Sequence, residues 1–189
     1  MVQNPDEVWV VDSRWPRDRG RAKIRYARLS LEEVRKHGAR GDDFDYAHEE
    51  ACLAHLDSVV DVFLQEVNVC LKLGLDLWDV NRLSIAKTLG RVGVQCLEFD
   101  ELAVLLEDKT SWLSEAREFR NHGVHRAPVS RNYIIVVGDS SKVQFRNPRT
   151  GVVQQLDRLD VIAGWIDRAE ELFERLGASL RNTCGLPTY

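Results

Sequence analysis

Residues 117–126 read Arg-Glu-Phe-Arg-Asn-His-Gly-Val-His-Arg. Ten positions thus hold three arginines, two histidines and an asparagine, side chains that complement one another in one kind of chemistry. Arginine offers a planar, permanently charged fork that matches phosphate oxygens. Histidine titrates near neutral pH and gives or takes a proton. Asparagine donates to an oxyanion or orients a hydroxyl. Together they suit attack on a phosphodiester. In RNA the neighbouring 2′-OH can be the nucleophile, so neither a metal nor a protein nucleophile is obligatory. Spacing adds to residue type. On a helix of about 100° per residue, with Trp112 at zero, Ala116, Phe119 and Gly123 fall within about 40° and form an apolar side. Arg117, Asn121 and His125 fall at about 140°, 180° and 220°, on one polar ridge, with Arg120 on the border at about 80°. If the helix persists past Gly123, Asn121 and His125 face water, a ligand or another chain. The competing reading is a solvated helix end whose cations offset the C-terminal dipole.

The elements that must position this run are mostly helical. Apolar residues at Leu53, Leu56, Val60, Phe63, Leu64, Val67 and Leu71 recur at spacings of three and four, which predicts a long helix from about Phe44 to Leu73 ended by Gly74. Asn81 or Ser84 opens a second helix to about Leu89. A third covers Phe99 to Glu107. Thr110 or Ser111 caps a fourth, which carries the 117–126 run and stops before Pro128. The period then changes to alternation. Tyr133–Val137 and Lys142–Phe145 flank Gly138-Asp139-Ser140-Ser141 as a hairpin, and Val152–Leu156 is a possible third strand. A last helix runs from Leu159 to Leu180. At the start of the chain, residues 7–11 and 23–29 read as short strands joined by a linker rich in breakers. Ser30, with Glu33 completing a capping box, starts a short helix ending near His37. The expected fold class is mainly α: a bundle of four to five helices over residues 41–189, with a β-hairpin at about 131–156 and a basic N-terminal arm over 1–40.

The chain has 189 residues, with 26 Lys and Arg against 30 Asp and Glu, so its formal charge is −4. That excludes nucleic-acid binding through bulk positive charge, but the charge is unevenly placed. Residues 1–40 are net +4, 41–80 net −9 and 117–149 net +5, an asymmetry that can steer an anion to one face. No apolar stretch approaches the roughly 20 residues of a membrane span. Residues 1–11 carry Asp6 and Glu7 and do not read as a secretory signal. Cys52, Cys70, Cys96 and Cys184 show no metal-ligand spacing, and they read as free thiols of a cytoplasmic protein.

The run Arg120-Asn121-His122-Gly123-Val124-His125 resembles the signature of the HEPN superfamily: Arg, a polar residue that is often Asn, and His after four to six intervening residues. The bundle, with the motif near the end of a late helix and one long helix after it, is similar too, over roughly residues 43–181. The resemblance implies a metal-independent endoribonuclease without a cofactor, of a kind often found as toxins in toxin–antitoxin or antiviral systems. It implies a homodimer in which two motifs meet in one cleft, RNA as the partner, and an antitoxin such as a nucleotidyltransferase-like protein. Carried over by position, Arg120 and His125 are the catalytic pair and Asn121 the supporting polar residue. Arg117, His122 and Arg126 lie outside the matched positions and are auxiliary RNA contacts at most. Some superfamily members keep the fold without nuclease activity, so the alternative is a module that binds nucleotide or a protein partner.

Other features have simpler explanations. Glu118, His122 and His125 lack further metal ligands at recognisable spacing, and no metal site is expected there. His48 and His55 share a face of the acidic helix and read as structural. That helix is a solvated face, or the docking place of a basic antitoxin. Trp15, set among Arg14, Arg17, Arg19 and Arg21, is the one aromatic-in-basic pattern suggestive of RNA stacking, against the plainer reading of an exposed loop.

Overall fold

The computed structural model describes residues 14–38, 40, 42–124, 133–135, 142–146 and 153–187, of which 122–124, 133–135 and 142–146 are described by their backbone alone. Helix α1 spans Trp15–His37, α2 Asp43–Cys70, α3 Arg82–Val92, α4 Leu97–Glu107 and α5 Trp112–Val124. Strands β1 (Tyr133–Ile135), β2 (Lys142–Arg146) and β3 (Val153–Asp157) follow, and α6 (Arg158–Thr183) is the last helix among the described residues. The strands form an antiparallel sheet in the order β1-β2-β3, with Tyr133 opposite Phe145 and Val143 opposite Leu156. No helix among the described residues is long and apolar enough to cross a membrane.

The helix ends follow local chemistry. The Asp42 carboxylate accepts from the Phe44 and Asp45 N–H groups and starts α2. Asn81 and Ser84 form a reciprocal capping box at α3. Gly38 adopts φ 89°, a left-handed conformation that costs glycine little, and its N–H closes on the Arg35 and Val34 carbonyls to stop α1. These bounds match the helices expected from periodicity, and the three strands fall where alternation placed them.

The start of the chain is different. The strand expected at 23–29 is the middle of α1, and the short helix expected from Ser30 is its last turns; the strand expected at 7–11 lies outside the described residues. Two apparent breakers explain the difference. Pro16 occupies the first turn, where no helical N–H is lost. Gly20 is a contact, since a Cβ there would lie 2.1 Å from the Phe173 ring of α6. Ile24, Ala27, Leu31 and Val34 then form a helical apolar stripe. α1 is therefore packed into the bundle against α2 and α6 rather than projecting as an arm.

α2 is the hub, in contact with α1, α3, α5 and α6. Its Leu56, Val60, Phe63 and Val67 meet Ile162, Ile166, Phe173 and Leu180 of α6 in one core. Charged groups run through this core as well. Arg181 and Glu66 are both fully buried and pair at 2.7 Å. Arg17, 3 % exposed, donates through Nη1 to the Phe173 carbonyl at 3.3 Å and through Nη2 to the Glu174 carbonyl at 3.0 Å. It fits because residue 177 is glycine, where a Cβ would lie 1.7 Å from Arg17 Nη1. Arg158, 1 % exposed, meets Glu49 at 2.7 Å and lies 5.6 Å from the centre of the Tyr46 ring.

Candidate functional site

α5 is held by its apolar side. Leu113 and Ala116 are buried, and Phe119 sets its ring against Trp165 of α6, centroids 5.5 Å apart at 64°. At its start, Ser111 donates to the Leu105 carbonyl of α4 and accepts from Ser114 N–H, which fixes where the helix begins. This anchoring carries the predicted residues outward in the order the helical wheel gives. Asn121 is exposed, and Arg120 is half-buried at the border.

Arg117 departs from the ridge picture. It is tied to α2 rather than standing free beside Asn121. Its Nε lies 2.7 Å from Asp57 Oδ1 on α2, while Arg120 Nη1 donates to Asp57 Oδ2. One carboxylate therefore holds two guanidinium groups from successive turns of α5. Asp57 is 14 % exposed at its side chain, against 43 % for Arg117 and 36 % for Arg120, so the anion is sunk and the cations face outward. Asp61, one turn further along α2, stands close enough to feel the same charges. Desolvation and the Asp57 carboxylate push its carboxyl up from the ordinary range, and Arg117 and Arg120 pull it down. Asp57 was missed in the sequence because only folding brings α2 to α5. Position 57 had no signal of its own beyond its place on the acidic helix.

The structure thus brings together Arg117 and Arg120, with Asn121 on the adjoining surface. His122 falls within α5, but its side chain, like all of His125 and Arg126, lies outside the described residues.

One group among the described residues has the types and separation of cation ligands: His37, Asp42 and Asp45, whose ligand atoms all lie within 4.8 Å of one another. Their atoms already have roles. Asp42 caps α2, and Asp45 Oδ1 lies 3.1 Å from His37 Nδ1. His48 packs on Phe44 at 4.4 Å and His55 on Tyr26 at 5.5 Å, as structural histidines do. Burial, and then the Lys23 charge, lower the His55 pKa. All four cysteines are free; burial pushes the Cys52 and Cys70 thiols up to about 12, far from thiolate reactivity. No family model matches the sequence, and no curated protein or solved structure matches it either.

Proposed function

We propose that the chain is a HEPN-type endoribonuclease that cleaves RNA without a metal, works as a homodimer and serves as a toxin or defence component. The observation that supports this reading most is the last described stretch of α5. There Arg120 and Asn121 stand together at an open edge of a helical bundle, with Arg117 one turn away and a long helix following. In this reading Arg120 holds the scissile phosphate and stabilises the extra charge of the pentavalent transition state. Asn121 orients the attacking or leaving oxygen. His125 moves the proton. The 2′-oxygen forms a bond to phosphorus as the bond to the 5′-oxygen breaks. The proton leaves the 2′-OH and reaches the departing 5′-oxygen, which yields a 2′,3′-cyclic phosphate and a 5′-OH. Two motifs facing one cleft allow one His125 to act as base while the other acts as acid.

Asp57 tempers this site. A phosphate arriving at Arg120 meets a guanidinium that already has an anionic partner, and Arg117 remains to hold Asp57 when Arg120 turns to substrate. The test is incubation of the purified chain with diverse RNAs in EDTA. Cleavage to 2′,3′-cyclic ends is expected, with a loss of about 10²-fold or more for His125→Ala and a comparable loss for Arg120→Ala. Intact RNA under all salt conditions overturns the nuclease reading and leaves the non-catalytic module.

A further inference from the structure

α1 divides its cations between two sides. Toward α6, Arg17 and Arg21 meet Glu174, Arg28 meets Asp167 and Glu170, and Arg35 meets Asp160. Arg19 and Lys23 lie on the other side, and neither enters an ion pair among the described residues. Two rings share that side: Trp15 is 37 % exposed and Tyr26 46 %. Eleven residues apart, they fall within about 20° of each other around the helix and about 16 Å apart along it. Arg19 comes within 5.5 Å of the centre of the Trp15 ring, and the small Ala22 leaves a dip before Tyr26. Tyr26 is steadied by His55 of α2, centroids 5.5 Å apart at 53°. An open groove of about 580 Å³ runs along this side, with Asp18 the single carboxylate among the described residues lining it.

From this we infer that the outward side of α1 is a track for single-stranded nucleic acid, on which Trp15 and Tyr26 stack bases while Arg19 and Lys23 hold phosphates. The alternation of ring and cation carries the assignment. An acidic peptide would use the cations and leave the rings idle. A membrane surface would call for a broader apolar stripe. A nucleotide strand uses both, because every base has a face and every link a charge. The distance between the rings corresponds to about five stacked nucleotides at 3.4 Å each. The track shares only its class of polymer with the nuclease reading, and it lies on a different helix from Arg120.

The experiment uses the full chain and a labelled ten-nucleotide 2′-O-methyl oligouridine, which lacks the attacking hydroxyl, so binding is read without cleavage. Trp15→Ala and Tyr26→Ala should each weaken binding about tenfold, and Trp15→Phe should retain most of it. Arg19→Glu with Lys23→Glu should weaken it further and flatten its salt dependence. Arg175→Ala, whose partner is Glu101 of α4, should leave it within about twofold, since that residue belongs to neither site. If both ring variants keep native circular dichroism and bind like the parent chain, the track is wrong. It is also wrong if the parent binds phosphatidylserine vesicles through Trp15 and Tyr26 but not the oligonucleotide. If RNA stays intact while the ring variants lose binding, the nuclease reading falls and the track stands. If Arg120→Ala abolishes cleavage while the ring variants bind normally, the reverse holds.

Discussion

Two arginine–carboxylate clusters, built from the same residue types, sit at opposite extremes of the molecule's electrostatics. Glu66 and Arg181 are sealed in the core, where each is the other's answer to lost water. Asp57, Arg117 and Arg120 form a half-open cluster in which the anion is sunk and both cations reach solvent. The difference is one of competition. Water and phosphate cannot reach the first pair, so it does a structural task only. They can reach the second, so its cations remain available for exchange. Burial, rather than residue type, separates an arginine that holds a fold from one that can hold a ligand.

The contrast can be broken first at its buried pole. Glu66→Ala removes the carboxylate that pairs with Arg181 in the core and should destabilise the chain by about 3–5 kcal/mol in denaturant unfolding. Replacing both partners, as Glu66→Leu with Arg181→Met, should recover much of that loss, because two apolar groups carry no desolvation cost. If the double variant is as unstable as the single one, packing rather than charge dominates there.

A second buried carboxylate sharpens the same point through pH. Burial pushes Glu49 up to about 7, with Arg158 pulling it down and Asp45 pushing it up. A carboxyl whose folded pKa lies above its unfolded value favours the protonated folded state. The stability it contributes is fully present below about pH 4.5 and is lost as pH rises through about 7. The loss is at most about 3 kcal/mol. Unfolding measured from pH 4.5 to 8 should show this decline, and Glu49→Gln, which mimics the protonated carboxyl, should flatten it.

At the open pole the stability effects are smallest. Arg120→Ala should cost less than about 1 kcal/mol, because Asp57 keeps Arg117 and the arginine is partly solvated. Asp57→Ala should cost about 1–2 kcal/mol, less at high salt. A thermal melt that shows Arg120→Ala to be as damaging as Glu66→Ala would erase the distinction between the two clusters.

Much of the bundle was legible before any coordinates. Apolar residues at spacings of three and four, Asn81, Gly38 and the alternation after residue 133 mark elements by rules that act within a few residues. What was illegible acts across the chain. Pro16 and Gly20 look like interruptions until Phe173 is placed against Gly20. Arg17, Arg158 and Arg181 look like surface charges until α6 lies along α1 and α2. In the candidate site, Arg120 and Asn121 were readable from helical phase alone. The pairing of Arg117 with Asp57 was not, because its cause is a carboxylate on another helix sixty residues earlier in the chain.

The passage from β3 to α6 has a mechanical side. Asp157 is the last residue of the strand and the cap of the helix, its carboxylate accepting from Leu159 and Asp160 N–H. No linker stands between them to absorb rotation, so the junction is a rigid coupling and not a joint. One residue inserted there would turn the sheet by about 100° around the helix axis and shift it by about 1.5 Å. The sheet is thereby keyed to the helix that carries Trp165, Phe173 and Arg181, and whatever grips the sheet also holds the spine of the bundle.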